Sequence, residues 1–198
     1  DYKSPSVGGE KAMPPSGGAK SFIERNNFIP KTIENVIAYH AEVKAMEPEF
    51  LRETASMAKK LGAQYTSRVK EASSILRKST QDSGRTLSSI GDSLGSSIIV
   101  KDPIKALKDL SPMGKVDNFY ENPTYLGYRG IHIDHRLSNG MKSEIQIHKT
   151  KEGLMRKEWA HTIYDKYRKY IKNEEGLTLE DATKMVPEKL REAFIADV

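Results

Sequence analysis

Gly130-Ile131-His132-Ile133-Asp134-His135-Arg136 and Met141-Lys142-Ser143-Glu144-Ile145-Gln146-Ile147-His148 are the two stretches whose alternation decides the fold. In an extended chain successive side chains point to opposite faces. One face is then aliphatic, with Ile131, Ile133, Ile145 and Ile147. The other carries His132, Asp134, Glu144, Gln146 and His148. Ser138-Asn139-Gly140 between the two runs predicts a hairpin. A two-residue Asn-Gly turn would pair Ile133 with Gln146 and mix the faces. A three-residue loop with Gly140 left-handed pairs Asp134 with Glu144 and His132 with Gln146, and keeps each face pure. The three-residue loop is therefore expected.

Working outward, residues 30 to about 61 carry a helical pattern. Ile33, Val36, Ile37, His40 and Val43 fall on one face, Pro48 is expected to divide the stretch into two helices, and Gly62 ends the second. Tyr65 to Lys70 reads as a short strand and Ala72 to Lys78 as the start of a helix. Leu94 to Val100 reads as a buried strand. Pro103 to Leu110 reads as a helix with Asp102 as its N-cap. Beyond the hairpin, Met155, Trp159, Ile163 and Tyr167 form a helical stripe. A last helix is expected from about Leu179 to Ala196, with Thr178 and Asp181 placed as a capping box. Helices, then strands, then helices predict an α+β domain around one mixed sheet flanked by helices.

The first 20 residues, with SPSVGG and PPSGG, are too poor in apolar surface to fold and read as a linker. Residues 21–198 are expected to form the single folded domain. A start at Asp1 rather than Met, behind such a linker, reads as an excised piece with an upstream domain removed. Hydrophobic residues make up 37% of the 198, enough for one packed core, and no apolar run is long enough to span a membrane. No secretory signal pattern opens the chain. The absence of Cys excludes disulfides and cysteine-ligated zinc. A net charge of +5 suits a polyanionic ligand, either a nucleoside triphosphate or a nucleic acid.

Three features carry chemistry. The first is the polar hairpin face, whose two His, Asp, Glu and Gln differ from the Lys, Thr and Glu of an ordinary exposed sheet. A solvated face is the plain alternative. A site where carboxylates hold a metal, and amide and imidazole groups orient a substrate, is the sharper reading. The ligand spacing matches no closed zinc motif. The second feature is Arg68, Lys70, Arg77 and Lys78 with Ser73 and Ser74 between them, a mixture of guanidinium and ammonium that suits a triphosphate. Its alternative is a charged surface, and it is not a Walker A loop. The third is Tyr125-Leu126-Gly127-Tyr128-Arg129-Gly130, where Tyr128 stands at the entry to a strand. A tyrosine there can stack on a base, worth about 1–3 kcal/mol, or merely anchor the strand end by packing.

In this order the features resemble the RelA/SpoT alarmone-synthetase family of pyrophosphokinases. The chain reads Arg68-x-Lys70-x-x-x-Ser74-Ile75-x-x-Lys78, then Asp92 before Leu-Gly-Ser-Ser-Ile-Ile-Val. It continues with Phe119-x-x-x-Pro123-x-x-x-Gly127-Tyr128-Arg129-x-x-His132 and then Glu144-Ile145-Gln146-Ile147-His148. The resemblance covers about Tyr65 to Tyr164. It implies that Arg68, Lys70, Ser74 and Lys78 hold the phosphates of donor ATP. It implies that Asp92 and Glu144 bind Mg²⁺, and that Glu144 helps activate the attacking 3′-hydroxyl. Tyr128 would stack on the acceptor base, with Arg129, His132 and Gln146 lining the acceptor side. The implied reaction, transfer of a diphosphate from ATP, needs positioning and charge neutralisation more than covalent help.

The departures from the family pattern fall mostly on the acceptor side: Thr124 and Leu126 replace its Lys and Asn, Ser97 replaces an Arg, and His148-Lys149 precedes Thr150 where it has Arg-Thr. They imply an adenine rather than a guanine acceptor. No His-Asp dipeptide of the family's hydrolase occurs, so synthesis without removal of product is implied. Within the family the chain is most similar to the toxic, (p)ppApp-making type VI secretion effectors. That likeness implies delivery from a producing bacterium into the cytoplasm of a target cell, a missing upstream delivery domain and a cognate immunity protein. The other readings are a (p)ppGpp synthetase using GDP or GTP, a toxin that modifies the tRNA 3′ end, and a non-catalytic nucleotide- or RNA-binding module. The Lys166 to Lys172 run would serve tRNA; its plain and preferred alternative is a solvated helix surface.

Overall fold

A computed structural model of the chain describes residues 20–81, 85–110, 114–123 and 129–150. The expected linker (residues 1–20, apart from Lys20), the Met155-to-Tyr167 stripe, the last helix, Tyr128 and the Lys166 to Lys172 run lie outside them. The described part opens with α1 (Phe22–Asn26), which starts on a capping box. Ser21 Oγ accepts from the Glu24 amide, and the Glu24 carboxylate accepts from the Ser21 amide.

The long helix α2 (Ile33–Lys60) follows. Two expectations fail here. Pro48 does not divide the stretch; it lies inside one continuous helix. Proline removes one amide donor and crowds the preceding turn, at about 3 kcal/mol. The helix persists because it buries side chains on both sides of the proline, among them Val36, Tyr39 and Val43 before it and Phe50, Met57 and Ala58 after it. The buried stripe is also rotated from the expected one. Ile33 and Ile37 are 60% and 57% exposed, while Tyr39 is buried. Tyr39 wins its place because its ring packs on Phe22 at 5.8 Å and its hydroxyl meets Ser93 Oγ at 2.9 Å. Helix α2 ends as expected, with Gly62 at φ 59 and the Ala63 amide donating back to the Ala58 carbonyl.

After α2 come β1 (Gln64–Val69), α3 (Ala72–Gln81), a 3₁₀ turn (Leu87–Ser89), β2 (Leu94–Ile99) and α4 (Pro103–Leu110). Strands β3 (Lys115–Asn118), β4 (Ile131–Arg136) and β5 (Lys142–His148) complete the sheet. Asp102 caps α4 by accepting from the Lys105 amide at 3.0 Å. The strand order is β1-β2-β5-β4-β3. Among the described strands only β2 and β5 run parallel; the other pairs are antiparallel. The architecture is therefore the expected α+β fold on a mixed sheet.

The hairpin has the register that keeps its faces pure: His132 pairs with Gln146 and Asp134 with Glu144. Its loop holds three residues, with the Leu137 amide donating to Met141 O and the Gly140 amide to Leu137 O, and Gly140 sits at φ 87. Ile131, Ile133, Ile145 and Ile147 are at most 1% exposed and join one core with α2. Glu49 fixes the hairpin tip to that helix by accepting from both the amide and the hydroxyl of Ser138, each at 2.7 Å.

Candidate active site

The sheet register assembles the polar face row by row. Arg68 pairs with Gly95, Gly95 with Glu144, and Glu144 with Asp134. One step along, Thr66, Ser97, Gln146 and His132 form a second row. Paired residues project to the same face, so residues from positions 66 to 146 of the chain converge. The Arg68 side chain lies across Gly95: a Cβ built there would stand 3.5 Å from Nε and 3.7 Å from Cζ. Gly95 thus gives the guanidinium a bare stretch of backbone between β1 and the strand that holds Glu144.

At the β1 side, Asp92 sits between two ammonium groups in the turn before β2. Its Oδ1 receives Lys78 Nζ at 2.8 Å and its Oδ2 faces Lys70 Nζ at 3.1 Å. Burial alone would raise the Asp92 pKa, but Lys78 and Lys70 outweigh it and bring it down to about 2. Burial lowers the pKa of Lys70, with Arg68 and Lys78 pushing the same way and Asp92 opposing them. Lys78 and Ser74 are one turn apart on α3, so both stand on the same side of that helix. Arg68, Lys70 and Lys78 together concentrate positive charge, with the Asp92 carboxylate set against the two lysines.

At the centre, each oxygen of Glu144 has a polar neighbour. Oε1 meets His132 Nδ1 at 3.2 Å, and Oε2 accepts from Gln146 Nε2. The Phe119 ring meets the His132 imidazole edge to face at 5.1 Å. His148 Nε2 reaches Gln146 Oε1 at 3.3 Å. This is not a solvated sheet face: Gln146 is 4% and His148 0% exposed. Asp134, in contrast, is exposed.

Arg129 donates from Nη1 to the Tyr120 carbonyl at 3.2 Å, tying the turn after β3 to the start of β4. Tyr128 lies outside the described residues. Among the described residues no three His, Asp or Glu side chains converge on a metal position. Asp92 and Glu144 are hard oxygen donors. They fit an ion that takes one or two carboxylates and draws its remaining ligands from water and phosphate, as Mg²⁺ does. Pattern reading gave Gly95 and Phe119 no role and missed the Tyr39–Ser93 contact. Gly95 carried a signal, a glycine inside a strand, which marks close approach of another group.

No family model matches the sequence, and no curated protein does. Solved structures do match. The chain superposes on the type VI effector Tas1, solved in complex with its immunity protein, with a TM-score of 0.57 at 15% identity, over 84% of this chain and 96% of that one. It superposes on small alarmone synthetase 1 of Bacillus subtilis bound to its product pppGpp with a TM-score of 0.51 at 18% identity, over 80% and 86%. The fold is that of the alarmone synthetases. Small alarmone synthetase 2 of the same organism matches with a TM-score of 0.50 at 21% identity, over 82% and 88%. Within this synthetase fold, the described residues include no helix long and apolar enough to cross a membrane.

Proposed function

We propose that the protein is an ATP-dependent pyrophosphokinase that moves the β,γ-diphosphate of ATP to the 3′-hydroxyl of an adenine nucleotide, giving (p)ppApp. The observation that carries the reading is the row Arg68–Gly95–Glu144, which sets a cation and a carboxylate on either side of one bare strand position. Arg68, Lys70, Ser74 and Lys78 hold the donor triphosphate, guanidinium and ammonium groups neutralising its charge. Glu144 takes the proton of the 3′-hydroxyl. The 3′-oxygen bonds to the β-phosphorus as the bond from that phosphorus to the α–β bridging oxygen breaks, and AMP leaves. Asp92 and Glu144 are the residues to hold Mg²⁺, which when bound neutralises the phosphate charge developed in transfer. His132, Gln146, Arg129 and Tyr128 belong to the acceptor side in this reading, with Thr124 and Leu126 favouring adenine.

The likeness to a type VI effector supports a role as an antibacterial toxin that drains ATP in the target cell, with a cognate immunity protein guarding the producer. Chromatography of nucleotides after incubation with ATP and Mg²⁺ tests the reading. AMP and slower-eluting adenosine polyphosphates are expected from ATP alone, and none from Glu144→Ala. Product only when GDP or GTP is added would replace adenine by guanine as acceptor. No product in any mixture would overturn the pyrophosphokinase reading for free nucleotides.

A further inference from the structure

We propose that His148 is a positioning residue that orients Glu144 through Gln146; the inference rests on the reading of Glu144 as the base of the transfer. Glu144, Gln146 and His148 occupy alternate positions of β5, so their side chains stand in line on one face. The line is hydrogen-bonded throughout. Gln146 Nε2 donates to Glu144 Oε2, and Gln146 Oε1 faces His148 Nε2 at 3.3 Å. An amide has one accepting end and one donating end. With its oxygen toward the imidazole, Nε2 of His148 carries the proton and donates. With its nitrogen toward Glu144, the amide supplies the carboxylate with a donor.

Reversal of the amide would set its oxygen against a carboxylate oxygen and its nitrogen against a protonated Nε2, so Glu144 and His148 together fix the end that Gln146 offers. His132 holds the other carboxylate oxygen, and Phe119 packs on His132. Glu144 is thereby held from two sides, and the side through Gln146 is the more deeply buried. At 0% exposure, His148 has no surface to offer a nucleotide. Its effect on the reaction must pass through its neighbours, which distinguishes it from a residue that binds substrate.

The test combines kinetics with a measurement on the resting protein. His148→Leu, which cannot donate, is expected to lower kcat about tenfold or more, with the KM for ATP within about twofold of wild type. His148→Gln, which restores a donor, should recover most of the loss. In a Gln146→Leu background, His148→Leu should cost little more, because the path through the amide is already cut. Long-range ¹H–¹⁵N spectra of the wild-type protein should show the His148 ring protonated at Nε2.

Wild-type kcat in a folded His148→Leu protein, full additivity with Gln146→Leu, or an Nδ1-protonated ring would each overturn the proposal. Should His148→Leu fail to fold, the ring tautomer still decides. A wild-type protein without activity, or an active Glu144→Ala, would instead remove the functional reading, and the spectra would judge the hydrogen-bonded line by itself.

Discussion

Asp92 shows how much a single residue's neighbours decide. Its carboxylate meets two lysines, and its pKa lies near 2 instead of the ordinary 3.8. A carboxylate whose folded pKa is depressed adds stability that is fully present above its unfolded value and is lost as pH falls through the folded one. Asp92 should therefore contribute roughly 2 kcal/mol above about pH 4, fading toward pH 2. Denaturant unfolding from pH 7 down to pH 2 should show this segment in the wild type and its absence in Asp92→Asn, which starts less stable at pH 7. The sequence placed Asp92, Lys70 and Lys78 on a list of candidates. Alternation also selected Glu144, Gln146 and His132. It did not reveal that both lysines close on one aspartate, because that closure depends on how α3 packs beside the turn before β2. Nor did it single out Tyr39, since hydropathy favours Ile33 and Ile37 and takes no account of a hydroxyl partner on Ser93.

Among the elements, the hairpin was the most legible, because of the two tight loops its turn residues allow only the three-residue one keeps the four isoleucines on one face. Strand β3 was not anticipated: four residues, Lys115 to Asn118, with mostly exposed or half-buried side chains leave too little pattern to read. Helix α1 carries a local signature, the capping box Ser21-Phe22-Ile23-Glu24, but five residues are too short to show a periodicity. Pro48 was read by a sound local rule that packing overruled. Its cost should still be measurable. Pro48→Ala restores an amide donor to the turn and should stabilise the protein by about 1–3 kcal/mol, seen as a raised midpoint in thermal or denaturant unfolding. No gain would mean that the helix has bent to absorb the proline, with the lost bond replaced elsewhere.

For the molecule as a whole, the α+β class was readable from the sequence, since the Arg68-to-Lys78 motif falls on β1 and α3 and the Glu144-to-His148 motif on β5, elements that their own periodicity defines. The strand order was not, because β5 must insert between β2 and β4, and nothing local announces that. The net charge of +5 is compatible with nucleotide or RNA, and salt separates them. Turnover of free nucleotides should fall less than about tenfold between 50 and 200 mM salt, whereas a substrate held by many phosphate contacts would lose about 10³–10⁵ in affinity. Initial rates across that range decide between them.

The parallel pairing of β2 with β5 has one more consequence. Arg68, Lys70, Ser74, Lys78 and Asp92 all precede α4, while His132, Glu144, Gln146 and His148 all follow β3. Covalently, the proposed site is two half-sites strung one after the other, and among the described residues the β2–β5 ladder of backbone bonds joins them into one. On the proposed reading, a nick between α4 and β3 would leave each fragment with half of the site residues, so that the transfer would belong to the pairing of two strands and to neither piece of polypeptide.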